Sequence, residues 1–404
     1  MHRMPPAVHV LGLAIFAMGT SEFMLSGLLP DLAADLGVSV PDAGLLISAF
    51  AVGMVVGAPV LALATLRLPR RTTLLAFLGA FVLAHVAGAL APGYAPLFAT
   101  RVAGAFVYAG FFGVAAVTAA DMVPAGARGR ALAIVTAGIT LATVLGVPAG
   151  TLISQYADWR AAFWTVAALS AIAMIGVFAA VPAKSRTGPE RRATSLRDEL
   201  RPMRDGRIWV AYAIVALSFS SMMATFSYLG ALLTGTTGLP EAWVPAVLAL
   251  FGVGSLIGIA AGGRIADARP HALLAAGMAG VVAISAALAL LASVPAAVIV
   301  LVPLLGAAGM ATNPAANVLV YARAGHGRTL PGASVTSAFN VGNTLAPWLG
   351  GLVIGAGFGY RSVGWVGAAM ALAALAAVAL SHTLQTRTPA RARETTAKRV
   401  PART

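Results

Sequence analysis

The sequence predicts an all-α polytopic membrane protein of twelve transmembrane helices in two pseudo-symmetric six-helix bundles. Three observations carry that prediction. The 404 residues are 59% hydrophobic and 10% charged, where a soluble chain carries about 25% charged residues. The apolar residues fall into twelve runs, each near the ~20 residues that a helix needs to cross a bilayer. Glycine and proline landmarks recur at a spacing near 200 residues, as in transporters built from internal repeats.

The runs place the first six helices at 9–30 (α1), 44–66 (α2), 72–91 (α3), 96–119 (α4), 131–154 (α5) and 161–181 (α6). The second six fall at 209–233 (α7), 244–265 (α8), 272–292 (α9), 295–321 (α10), 332–356 (α11) and 362–381 (α12). Gly53 and Gly57 of α2 reappear 201 positions later as Gly254 and Gly258 of α8, and Pro148 and Gly150 of α5 are echoed by Pro347 and Gly350 of α11. The chain thus divides into an N-terminal bundle (1–182), a linker (183–207), a C-terminal bundle (208–383) and a basic tail (384–404). The linker is rich in Arg, Ser, Pro and Gly, and its end, Ser195 to Arg204, has the charge spacing of a short helix lying on a membrane surface. The simplest reading of the tail is disorder held near anionic lipid.

A net charge of +14 raises nucleic acid as a partner, but the placement of the charge argues against it. With the amino terminus inside, the inner segments carry Arg3, Arg67, Arg70, Arg71, Arg128, Arg130, the run from Lys184 to Arg207, Arg264, Arg269, Arg323, Arg328 and the tail. The outer loops carry Arg160 and Arg361 beside Asp31, Asp35, Asp42, Asp158 and Glu241. Positive charge on the inner side puts both termini in the cytoplasm of a cell membrane. The first apolar run has no cleavage site after a short core, so α1 is retained. There is no cysteine, hence no disulfide framework. The six histidines are scattered, never spaced as a ligand pair, so neither a metal nor another cofactor is expected.

Glu22 sits inside an uncharged stretch long enough to cross the bilayer. An acid there costs about 2.5–3.5 kcal/mol on the insertion scale unless it meets a partner or a wet cavity. It is a proton or substrate site, or an acid locked in a structural salt bridge. Helix geometry offers a partner. Glu22 precedes Pro30 by eight residues, about 12 Å along a helix, and Arg101 lies about 9 Å into α4 from Ala95. The two charges reach similar depth, and they read as the one clear ionisable pair inside the membrane, because Asp121 falls at the inner end of α4. A carboxylate beside a guanidinium keeps its proton weakly, and one facing an apolar molecule in a dry cavity keeps it strongly. Substrate and proton can therefore compete.

Other side chains mark cavity faces. Tyr108 and Phe112 share a stripe of α4 with Arg101, and Ser26 follows Glu22 by one helical turn. Asn313 and Asn317 share a face of α10, Asn340 and Asn343 one of α11, and Phe226 and Tyr228 lie in α7. Each is a candidate substrate contact. Lipid contact or packing is the other reading of the aromatics, and helix-to-helix hydrogen bonding that of the asparagines. In α5, Gly138, Ala142, Gly146 and Gly150 recur every fourth residue, a face of small residues that lets a second helix approach closely, or ordinary packing in an alanine-rich chain. Pro148 removes a backbone donor within that face and predicts a kink.

At these positions the chain resembles the major facilitator superfamily, in its twelve-helix drug and proton antiporter group, over essentially its whole length. Gly146, Val147, Pro148, Ala149 and Gly150 look like the core of the antiporter signature, and Arg101 with Gly104 looks like the buried-arginine signature implicated in proton coupling. The loop after α2 matches the basic residues of the loop signature at Arg67, Arg70 and Arg71, with Leu66 where an aspartate is usual, while the second-half copy keeps Asp267. That departure puts the first half's charge latch in question. The run Gly19 to Leu25, with Leu29, Pro30 and Asp31, then Gly57, Ala58 and Pro59, and Asp158, Trp159 and Arg160, resembles chloramphenicol-efflux and sugar-efflux transporters. The actinobacterial chloramphenicol exporters are the nearer resemblance.

The resemblance implies a proton-coupled antiporter that exports a small antibiotic, chloramphenicol or a relative, by alternating access. In that role Glu22 and Arg101 couple protons, and Gly57, Arg67, Arg70, Arg71, the α5 face and Asp267 serve gating. A sugar or metabolite exporter of the same fold is the alternative. No nucleophile, base and orienter constellation suggests an enzyme, and the repeat argues against a channel. Drug, protons and membrane lipid are the expected partners, and one chain suffices to form the cavity.

Overall fold

A computed structural model describes residues 4–65, 68–183, 202–324 and 329–397 of the chain. Twelve of its helices are long and apolar enough to cross a membrane. They are α1 (Pro6–Phe23), α2 (Val40–Leu61), α3 (Arg70–Ala89), α4 (Tyr94–Asp121), α5 (Arg128–Tyr156), α6 (Trp159–Ala180), α7 (Gly206–Gly235), α8 (Glu241–Ile265), α9 (Pro270–Leu290), α10 (Pro295–Arg323), α11 (Ser334–Phe358) and α12 (Ser362–Leu384). Large apolar side chains such as Leu83, Ile172, Ile175 and Phe178 are exposed, as expected of helices whose outer faces meet lipid.

The same pairing rule organises both halves. In the first, α1 packs on α5 and α6, α2 on α4, and α3 on α4 and α6. In the second, α7 packs on α11 and α12, α8 on α10, and α9 on α10 and α12. The halves meet where α2 lies on α11 and α5 on α8. The repeated glycines explain the equivalence. A Cβ at Gly57 would overlap the Phe106 carbonyl of α4, and one at Gly258 would overlap the Ala307 carbonyl of α10. Helix backbones that touch in this way accept no side chain between them.

Several helices are interrupted. After Phe23 the chain passes through Met24 and continues as a second helical stretch, Leu25–Leu36, while α7 breaks at Tyr228 and α10 at Thr312. In α5 a π-helical turn, Ala142–Gly146, directly precedes Pro148. A π turn widens the helix where the proline ring would otherwise strike the preceding turn and where its missing N–H leaves a carbonyl free.

Short connections make the helices run alternately up and down, so the described ends of the chain share one face, the terminal face. The linker from 184 to 201 and the loop residues Leu66 and Arg67 lie outside the described residues, and of Ser195 to Arg204 only the short turn Pro202–Arg204 is described. The helix that begins at Ser362 continues to Ala397, past the point where the sequence suggests a disordered tail. Past Leu384 its Ala, Arg, Gln and Glu residues favour helix while Pro389 and four threonines do not, so the stretch continues a helix already nucleated by α12.

Candidate functional site

A cavity of about 510 Å³ lies between the halves. Its wall takes Glu22 and Phe23 from α1, Tyr108 and Phe112 from α4, Thr136, Thr140 and Thr143 from α5, Phe219, Met222 and Met223 from α7, and Phe251 and Ser255 from α8. From α10 and α11 come Met310, Asn313, Asn317, Tyr321, Thr336, Phe339 and Asn340. Thr136, Tyr321 and Thr336 stand near the terminal-face ends of their helices, so the cavity extends from Glu22 toward that face. Among the described residues Glu22 is the one charged side chain on the wall.

On the opposite face the halves touch. Ser48 of α2 donates to the Thr344 carbonyl of α11 at 2.9 Å. Gln155, at the end of α5, donates to the Glu241 carbonyl at 2.6 Å. A Cβ at Gly230 would sit 3.0 Å from the Ser26 carbonyl. On the rim of this face Asp35 accepts from Trp159 Nε1 at 2.9 Å and from Arg160 Nη1 at 2.6 Å. These two bonds, that from Trp159 foremost, hold its carboxyl below the ordinary aspartate range.

The face of α5 carrying Gly138, Ala142, Gly146 and Gly150 lies on α1. A Cβ at Gly138 would overlap the Gly12 carbonyl, one at Gly146 would overlap Thr20 Oγ1, and one at Gly150 would stand 3.3 Å from Met24 Cβ. Ala142 Cβ lies 3.4 Å from where a Cβ on Gly19 would be. This contact carries α1, and Glu22 with it, against the wall.

Behind Glu22 is a buried polar chain. Arg101 is 2% exposed, packs its guanidinium 4.2 Å from the Phe50 ring centre, and donates from Nη1 to Ser21 Oγ at 2.7 Å. Ser21 Oγ lies 2.6 Å from His85 Nε2, and His85 Nδ1 lies 2.9 Å from the Phe81 carbonyl. Donor and acceptor rules set the direction. The carbonyl only accepts, so Nδ1 carries a hydrogen; in the neutral ring Nε2 then accepts from Ser21, whose oxygen accepts from Arg101. Arg101 Nε and Nη2 have no hydrogen-bond partner. Arg101 and Glu22 form no ion pair in the described structure; the carboxyl instead accepts from Asn343 Nδ2 at 3.3 Å.

Of the residues singled out from the sequence, Glu22, Tyr108, Phe112, Asn313, Asn317 and Asn340 stand on the cavity wall. Asn317 Nδ2 donates to both oxygens of Asn313 at 2.9 Å. Asn340 Nδ2 donates to the Thr336 carbonyl at 3.0 Å, and its Oδ1 is buried without a partner. Four others stand off the wall. Ser26 is buried at the opposite-face seal, and Asn343 lies behind Glu22. Phe226 stacks on Phe251 with ring centres 4.2 Å apart. Tyr228 donates its hydroxyl to the Pro347 carbonyl at 2.7 Å.

By spacing, His85 reads in the sequence as one of six scattered histidines. Its signal was its depth inside the apolar run of α3, and it corrects the expectation of one intramembrane ionisable pair. The loop latch is also different from its sequence reading. Arg70 pairs with Asp121 at 2.6 Å, so the acid missing from the loop is supplied by the end of α4. Arg71 lies 4.3 Å from the Phe178 ring centre, Arg67 is outside the described residues, and Asp267 makes no ion pair among the described residues. No group of metal-ligating side chains occurs among the described residues.

Comparison with known proteins gives these features a context. The family model of the Major Facilitator Superfamily matches residues 11–334. A chloramphenicol resistance protein of Streptomyces lividans is 40% identical over 388 residues, covering 96% of this chain and 99% of that protein. The inner membrane transport protein YdhP of Escherichia coli K12 is 34% identical over 94% of this chain and 96% of its own length. Among solved structures, a bacterial homologue of the human lysosomal transporter Spinster, described as inward-facing and unoccupied, superposes with a TM-score of 0.73 at 17% identity, covering 94% of this chain and 96% of that one. The nucleoside transporter NupG gives a TM-score of 0.72 at 12% identity, covering 93% and 99%. The last two speak to the fold alone. With twelve apolar helices, a cavity between two halves and a family match over most of its length, the chain belongs to the Major Facilitator Superfamily and is a multi-pass membrane transporter, not an enzyme.

Proposed function

We propose that this transporter is a proton-coupled exporter of a small antibiotic, chloramphenicol or a relative. It works by alternating access in the cell membrane, with its termini in the cytoplasm. The terminal face is then the cytoplasmic one, and the cavity is open to the compartment from which an exporter loads. The observation that carries the reading is Glu22, 7% exposed, as the single charge on an aromatic and methionine-rich wall. Such a wall suits an uncharged aromatic molecule with a few polar groups. The unpartnered Asn340 Oδ1 offers an acceptor to a substrate hydroxyl or amide. Phenylalanine and methionine at so many wall positions weigh against a sugar, whose many hydroxyls call for matching hydrogen-bond partners. The likeness to a chloramphenicol resistance protein over nearly the whole chain points the same way.

The test is accumulation of labelled chloramphenicol in a susceptible host. Expression of the chain lowers accumulation, an uncoupler restores it, and the Glu22→Gln variant does not lower it although the protein is inserted. Unchanged accumulation on expression would remove the drug assignment, and lowering that survives the uncoupler would remove the proton.

A further inference from the structure

Glu22 is held from the other half of the molecule. Asn343 of α11 donates Nδ2 to Glu22 Oε1 at 3.3 Å, and the second polar atom of that amide, Oδ1, is buried with no partner. In its own half Glu22 stands near Arg101, whose Nε and Nη2 are likewise buried and unpartnered. The titratable and charged groups around Glu22 are Arg101 and Tyr108 on α4 and, through Ser21, His85 on α3.

The two vacancies ask for different forms of the carboxyl. A protonated acid offers one donor and one acceptor, whereas a carboxylate only accepts. An amide also has one face of each kind. A protonated Glu22 therefore matches Asn343 at both atoms, taking Nδ2–H at its carbonyl and giving O–H to Oδ1. A carboxylate satisfies Nδ2 alone and sets negative charge against the Oδ1 lone pairs. Arg101 has donors and no acceptor, so its free Nε and Nη2 match the carboxylate.

We propose that Asn343 reads the protonation state of Glu22. This rests on the reading of Glu22 as the proton-coupling site. The protonated acid bonds across the halves to Asn343 and keeps the opposite face closed. When the proton leaves to the cavity, the carboxylate turns to Arg101, the cross-half bond is lost, and that face is released. The sign is that of an antiporter. The proton-loaded protein rests open to the terminal face, and losing the proton to that side licenses opening to the other.

The chain has no cysteine, so spin labels can be placed at Ala34→Cys and Ala242→Cys, exposed positions on the opposite face of the two halves. Their separation is measured by pulsed electron paramagnetic resonance in lipid nanodiscs across pH, without drug. In the wild-type background the long-distance population grows as pH rises. Glu22→Gln stays short at every pH, because a glutamine amide presents to Asn343 the same donor and acceptor as the protonated acid. Asn343→Leu, or Asn343→Ala if leucine prevents folding, loses the pH response and gains the long distance. The double variant with Glu22→Gln opens where Glu22→Gln alone stays closed. If the Asn343 variants titrate with the wild-type midpoint and amplitude while Glu22→Gln does not titrate, the reader role is overturned and the coupling role of Glu22 stands. If Glu22→Gln titrates like the wild type, or the wild type does not respond to pH, both are overturned.

Discussion

Arg101 donates to the hydroxyl of Ser21 at 2.7 Å, so the guanidinium is anchored to the residue beside Glu22 in the chain and not to Glu22 itself. Ser21 in turn is fixed by His85 at 2.6 Å. Ser21→Ala leaves both Arg101 Nη1 and His85 Nε2 buried without a partner, at about 1–3 kcal/mol for each unsatisfied group. The expected outcome is a lowered melting temperature in detergent together with a shifted pH midpoint for drug-driven proton release. An unchanged midpoint in a destabilised protein would make the chain a structural feature alone.

Arg101→Lys and Arg101→Ala should differ from each other. Lysine keeps the charge but has no planar fork with which to hold Ser21 and offer further donors, so partial export with a shifted pH dependence is expected. Alanine removes the positive charge near Glu22, and coupling should be lost. Proton release on drug addition, followed across pH, separates the two. The wild-type midpoint in both variants would show that Arg101 does not act on Glu22.

Gly146→Leu forces a side chain into Thr20 and pushes α5 off α1. Overpacking of this kind costs about 1–3 kcal/mol, and efflux should fall while the protein still inserts. Gly113→Ala, with open space around its Cβ, is the control and should transport normally. Full efflux by Gly146→Leu would show that the close contact has no bearing on the cycle.

The Arg70 and Asp121 side chains are 28% and 45% exposed, so the pair adds little stability, on the order of 1 kcal/mol or less. Its loss should show in transport more than in melting. Asp121→Asn is expected to lower export, and the exchanged pair Arg70→Asp with Asp121→Arg to recover it. Failure of the exchange with normal folding would mean that the positions matter for something other than their attraction.

Asp35 gives a pH prediction at the rim. Its folded-state carboxyl is held below the ordinary range, so its contribution is present above the unfolded value of about 4 and fades as pH falls through the lower folded value. Melting temperatures recorded from about pH 6 down to about pH 3 should fall more steeply for the wild type than for Asp35→Asn. Parallel curves would mean that Trp159 and Arg160 do not favour the ionised form.

The fold was legible because hydropathy and glycine spacing are local signals, and a twelve-helix transporter writes both along its length. Glu22 and Arg101 were legible for the same reason, as charges in runs that should have none. The partners were not. Asn343 is 321 positions from Glu22, and nothing in either helix states that a side chain of α11 in one half reaches α1 of the other. Asp121 reads as a helix-end charge until the fold brings Arg70 to it. Phe226 and Tyr228 carry the composition of a binding surface, but ring stacking on Phe251 and a bond to the Pro347 carbonyl use them elsewhere. Periodicity assigns a residue to a helix face; which neighbour covers that face is decided by tertiary packing.

The polar part of the seal opposite the cavity is small. Among the described residues three hydrogen bonds cross between the halves, from Ser48 to Thr344, from Gln155 to Glu241 and from Asn343 to Glu22. Each is worth about 0.5–1.5 kcal/mol net, which puts the set at a few kcal/mol. One charge moving through about 100 mV of membrane potential releases about 2.3 kcal/mol. On the proposed proton-coupled reading the lock and the driving force are of one size, and a mutation adding one good cross-half bond would stall the transporter without touching its binding site.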